Sequence, residues 1–77
     1  MPKTRWTSRQ KKLQEILRQT RTDAGLTQAE VAERLGVPQS YVSKYESGER
    51  RLDILEVQDI CAVYGVSLDK FVKKLDK

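Results

Sequence analysis

Between Gln39 and Ser47 the chain reads QSYVSKYES, and most of those side chains can donate or accept a hydrogen bond. On a helix, Gln39, Ser40, Ser43, Lys44 and Ser47 fall at i, i+1, i+4, i+5 and i+8, which is one polar face. Val42 and Tyr45 fall on the opposite one. A solvated surface helix usually carries more charge than this face does. Side chains so polar and so weakly charged can approach the edges of nucleic-acid bases without a steric or desolvation barrier. Gln can pair bidentately with adenine through N6 and N7, Lys can donate to guanine O6 and N7, and Ser can serve either base. Gln39 and Lys44 have the reach and the donors for such contacts. For Ser43 plain solvation is an equal alternative.

The rest of the inventory supports an anionic partner and little else. Net charge is +4, from 15 basic and 11 acidic residues, and the surplus is unevenly placed. Lys3, Arg5, Arg9, Lys11 and Lys12 precede the first acid, Glu15, and Arg50 and Arg51 form a second basic pair just beyond the polar helix. Basic clusters beside a recognition element are the footprint of nucleic-acid binding. Lys70, Lys73, Lys74 and Lys77 read as solubilising charge. There is no histidine, and the single cysteine, Cys61, sits in an apolar pattern. Zinc coordination and histidine-based catalysis are thereby excluded, no metal or cofactor is expected, and no residue cluster proposes a reaction. No apolar run approaches the roughly 20 residues of a membrane span. A lone unpaired cysteine and no signal-peptide pattern suit a reducing cytoplasm.

The polar helix needs elements to hold it. Seventy-seven residues suffice for one domain. The expected division is a basic arm over residues 1–7, mobile without a partner, and an all-α domain over residues 8–77. Trp6 in the arm either packs over the domain's edge or stacks on a partner. Thr7 and Gln10 have capping-box spacing, and Leu13, Ile16, Leu17, Thr20 and Ala24 then repeat at helical intervals, which predicts helix 1 from about Ser8 to Ala24. Thr27 and Glu30 form a second capping box ahead of helix 2, Gln28 to Leu35, where Val31 and Leu35 share a face and Ala32 suits a close helix crossing. Gly36 then ends that helix, and Pro38 suits the first turn of helix 3. Asp53 and Glu56 make a third box. Helix 4 is expected to bury Ile54, Val57, Ile60, Cys61 and Tyr64, and Ser67 caps helix 5, whose stripe is Leu68, Phe71, Val72 and Leu75. The fold class is a compact five-helix bundle around one small core. Two short helices joined by so tight a turn must cross steeply, the helix-turn-helix arrangement.

The stretch QAEVAERLGVPQSYVSKYES, Gln28 to Ser47, resembles the helix-turn-helix DNA-binding domain of the Cro and phage-repressor (XRE) type. Thr27-Gln28-Ala29-Glu30 is similar to the opening of that family's second helix. Gly36-Val37-Pro38-Gln39-Ser40 is similar to its turn and the start of its recognition helix, and Tyr45-Glu46-Ser47-Gly48 to that helix's end. The resemblance implies a lambda-repressor-like fold and a double-stranded DNA partner, with Gln39, Ser40, Ser43 and Lys44 at the base-reading positions. It places Gln28, Ser47, Arg50 and Arg51 against the phosphate backbone. Tyr41 can join them through its hydroxyl while its ring packs on the helix surface. Glu49 departs from the pattern and would repel DNA unless it points away.

By the same resemblance Arg21 and Glu46 pair across helices 1 and 3; two unrelated surface charges are the competing reading. A single domain has a small footprint on DNA, so a homodimer on an inverted repeat is expected, joined through the apolar surplus of helices 4 and 5: Leu55, Val63, Phe71 and Leu75. Val72 fits either that surface or the core. An antitoxin that also binds a protein partner is the alternative. If the 77 residues are the whole protein, a small dimeric Cro-like regulator or restriction-system controller is expected.

Overall fold

The computed structural model describes residues 2–76, with side chains from residue 8 onward. Five helices follow one another: α1 (Pro2–Asp23), α2 (Gln28–Leu35), α3 (Gln39–Ser47), α4 (Ile54–Tyr64) and α5 (Leu68–Leu75), with no strand among the described residues. α2 and α3 pack closely on each other, α1 lies across α3 and α5, and α4 closes the bundle against α2 and α5. The local signals for these elements are satisfied in detail. Thr27 accepts from the Glu30 amide while Glu30 accepts from the Thr27 amide, and Asp53 and Glu56 do the same at the start of α4. Ser67 accepts from the Lys70 amide. Each such cap supplies partners for amides that the helix itself leaves open.

The core comprises Leu17, Val31, Ala32, Val42, Tyr45, Val57, Ile60, Cys61, Tyr64 and Phe71, so every helix contributes. Ala32 is buried in this core, 4% exposed. The two core tyrosines hydrogen-bond each other through their hydroxyls, which joins α3 to α4 and leaves neither group unpaired. Burial drives the Tyr64 phenol up to about 12 and pushes Tyr45 upward as well. Thr20 is buried too, and its hydroxyl donates to the Ile16 carbonyl at 2.6 Å.

Three expectations from the sequence are corrected. α1 begins at Pro2 rather than near Ser8, so Thr7 and Gln10 lie inside the helix and not at its start. Proline is tolerated in a helix's first turn, and nothing between Lys3 and Thr7 breaks a helix. The expected roles of the Lys3, Arg5 and Trp6 side chains lie outside the described residues. Ile54 is 62% exposed, not buried. At 100° per residue it sits about 70° from the centre of the Val57–Ile60–Cys61–Tyr64 stripe, and it is the helix's first residue. Phe71, in the Leu68–Phe71–Leu75 stripe, is 1% exposed and cannot belong to a subunit interface. Leu75 and Val63 are half-buried against the core, the former with its carbonyl accepting from Lys12 Nζ at 3.1 Å. Of the expected interface residues, Leu55 alone is exposed, at 66%.

Candidate nucleic-acid interface

α3 is anchored from behind and open in front. Gly36 takes the left-handed conformation, φ +73°, that lets α2 stop and the chain turn at once. Pro38 occupies the N-cap of α3 with no side-chain cap bond, so the first turn begins at Gln39 with amides no side chain caps. Val42 and Tyr45 are buried, 0% and 1% exposed. Gln39, Ser40, Ser43, Lys44 and Ser47 are all exposed along the outer face. Lys44 adds one positive charge to an otherwise neutral surface.

Each flank of α3 is held by a carboxylate. On one side Glu46 receives Arg21 from α1, with Nε donating at 2.6 Å and Nη2 at 3.2 Å, a two-point pair. Arg21 Nη1 also donates to the Leu26 carbonyl at 2.9 Å, and Gln28 Nε2 donates to Glu46 Oε1 at 3.0 Å. The side chains are only 13% and 5% exposed, which separates this pair from a surface ion pair. Its hydrogen bond to Glu46 raises the Arg21 pKa further, against the opposing effect of burial.

On the other side Glu56, from α4, accepts from the Tyr41 hydroxyl at 2.8 Å and from Arg50 Nη2. The Arg50 guanidinium lies over the Tyr41 ring, 4.6 Å from its centroid, and Tyr41 meets Tyr45 edge-on at 5.8 Å. The Asp53 amide, Arg50 and Tyr41 together hold the Glu56 carboxyl down to about 2. Desolvation and the bond to Glu56 raise the Tyr41 phenol.

The helix-turn-helix family model matches residues 17–71, which spans all of α2, α3 and α4. The chain is similar to a solved structure, an XRE-family like protein from Pseudomonas syringae pv. tomato str. DC3000. The two share 44% identity over 96% of this chain and 90% of that one, with a TM-score of 0.89. The chain belongs to the XRE-type helix-turn-helix family. It is also 34% identical over 61 residues to an uncharacterized transcriptional regulator in the ATPase CF(0) region of Rhodospirillum rubrum. That match takes in 79% of this chain and 56% of the relative, so the XRE-type domain spans little more than half of that protein's length.

Within this XRE-type domain the candidate residues separate by position. Gln39, Ser40, Ser43 and Lys44 share the outer face of α3, and Gln28 sits at the start of α2 beside Glu46. Arg50 and Arg51 are exposed in the α3–α4 connection. Ser47 donates to the Lys44 carbonyl and to Glu49, each at 3.2 Å, which turns the Glu49 carboxylate back toward the end of α3. The Tyr41 hydroxyl is committed to Glu56, its donor used at 2.8 Å. Glu56 itself is the residue that sequence reasoning assigned only a capping role. Its spacing from Asp53 predicts the cap, but no local pattern predicts the bonds to Tyr41 and Arg50.

Proposed function

We propose that this domain is a sequence-specific, double-stranded-DNA-binding transcriptional regulator that places α3 in the major groove. One observation carries the reading. The outer face of α3 is polar, nearly uncharged and unobstructed, while its inner face and both flanks are locked by the core, Glu46 and Glu56. A helix so fixed can present Gln39, Ser40, Ser43 and Lys44 to base edges without first losing its own freedom. Gln28, Ser47, Arg50 and Arg51 flank that face, where backbone phosphates pass.

In this reading two copies bind an inverted repeat, their recognition helices about 34 Å apart. The exposed apolar residues Ile54 and Leu55 favour a subunit contact near the start of α4 in place of one built on Phe71. Selection from a random duplex library, followed by light scattering on the selected site, tests both parts. A dyad-symmetric consensus bound by two chains is expected. Failure to enrich any sequence would overturn specific recognition, and a one-to-one complex on an asymmetric site would overturn the dimer.

A further inference from the structure

Glu56 stands at the third position of α4 with both carboxylate oxygens engaged, and its partners come from three different places in the chain. Oε1 accepts the Asp53 amide at 2.9 Å, and the Glu56 amide returns a bond to Asp53 Oδ1 at 2.8 Å, so the side chain is tied to its own helix. Oε2 accepts from Tyr41 of α3 at 2.8 Å and from Arg50 of the connecting loop at 2.5 Å. Arg50 is thus held twice, at one edge by Glu56 and on its face by the Tyr41 ring 4.6 Å away. A guanidinium carries five N–H donors, and the contact with Glu56 uses Nη2 alone. The Arg50 side chain keeps 42% of its surface in solvent, and no bond from its Nε or Nη1 is seen among the described residues.

We propose that Glu56 is a positioning residue for phosphate binding: it fixes Arg50 on the Tyr41 ring so that the remaining guanidinium donors meet one phosphate of DNA. The inference rests on the reading of the domain as a DNA binder. Its logic is that of preorganisation. Arginine surrenders much rotamer freedom when it is immobilised, and a side chain already held loses less on contact. The Glu56 side chain is 25% exposed, its carboxylate accepts at both oxygens, and the Arg50 cation beside it offsets its charge. Tyr41 then serves as the platform for the Arg50 face, and its hydroxyl, already committed, is not a phosphate donor.

The test turns on a sign. Removing an acid beside DNA ordinarily tightens binding, because repulsion is relieved; here removal weakens it. Affinity for a mixed-sequence 30-base-pair duplex is measured by anisotropy across a salt series for wild type, Arg50→Ala, Glu56→Gln and the double variant. Glutamine can keep the capping box, and a thermal melt confirms the fold. Arg50→Ala lowers the log–log salt slope by about 0.9, one phosphate contact. Glu56→Gln weakens binding by about three- to tenfold, the scale of a lost ordering contribution, and Arg50→Ala then costs less than it does in wild type. Glu49→Gln, in the same loop, tightens binding and serves as the charge control. Arg50→Lys leaves the capping box untouched and keeps the charge, and it loses nearly as much as Arg50→Ala because an ammonium has no planar edge to align. The proposal is overturned if Glu56→Gln tightens binding as Glu49→Gln does, if Arg50→Ala costs the same in both backgrounds, or if Arg50→Lys binds like wild type. A wild-type protein that binds no duplex at all would instead overturn the DNA reading on which this one rests.

Discussion

Replacing Arg21 with methionine tests the frame that holds α3. Methionine keeps the length and apolar stem of arginine but removes the two bonds to Glu46 and the Nη1 bond to the Leu26 carbonyl. Glu46, 5% exposed at its side chain, is left with Gln28 as a neutral donor. Breaking a buried pair from one side costs about 3–5 kcal/mol, because the remaining charge is uncompensated. Residual exposure of 13% and 5% and the surviving Gln28 bond argue for the lower end, near 3 kcal/mol. A domain of this length is stable by roughly 4–12 kcal/mol in all, so Arg21→Met removes a large fraction of it. At about 4–8 °C per kcal/mol for a domain this small, the melting temperature should fall by about 12 °C or more. The assay is urea unfolding followed by circular dichroism, run as a double-mutant cycle with Glu46→Leu. The double variant removes both charges and should recover about 2 kcal/mol or more of the loss. A single-variant cost under about 1 kcal/mol, typical of exposed pairs, or a coupling near zero would refute the argument that this bridge holds α1 to α3.

Gln39→Ala should weaken binding to the selected site by about 1–3 kcal/mol while leaving mixed-sequence DNA nearly unaffected, since no charge is lost; parallel falls in both affinities would remove Gln39 from base reading. Tyr45→Phe or Tyr64→Phe alone should destabilise by about 1–3 kcal/mol by stranding the other buried hydroxyl. The double phenylalanine variant should be closer to wild type than either single one, as measured by chemical unfolding. Acid titration should reveal Glu56: its folded carboxyl is depressed from 4.5 to about 2, so its stabilising contribution is complete above the unfolded value and is lost as pH falls through that window. Glu56→Gln should flatten that part of the stability–pH curve, and an unchanged curve would contradict it.

Much of this architecture was legible because its signals are local. The pairs Thr27–Glu30 and Asp53–Glu56 carry their capping geometry in a four-residue spacing, and Gly36 marks a turn that only a left-handed residue completes without strain. The two faces of α3 follow from period alone. Signals failed where local pattern met competition. Thr7 and Gln10 have the spacing of a cap, but a helix that can start at Pro2 simply passes through them. α4 reads ILEVQDICAVY, apolar around most of its circumference, so its pattern puts Ile54 inside along with Val57 although only Val57 is buried. Phe71 was misplaced for a related reason: a short amphipathic helix shows its stripe but not how deep the stripe sits. The Tyr41–Arg50–Glu56 cluster is invisible in sequence because the α3–α4 loop, not any spacing, brings three distant positions together.

The division of labour around α3 also bears on how such a domain could change its target. Gln39, Ser40, Ser43 and Lys44 carry no side-chain hydrogen bond or ion pair among the described residues, whereas Val42, Tyr45 and Glu46 are all tied into the fold. If the outer face reads DNA as proposed, stability and address fall to different residues of the same nine-residue helix. Exchanges at the four outer positions therefore fall where surface substitutions usually shift stability by no more than about 0.5 kcal/mol. On that reading a lineage of such domains, or an engineer, can explore new addresses one side chain at a time without passing through unfolded intermediates.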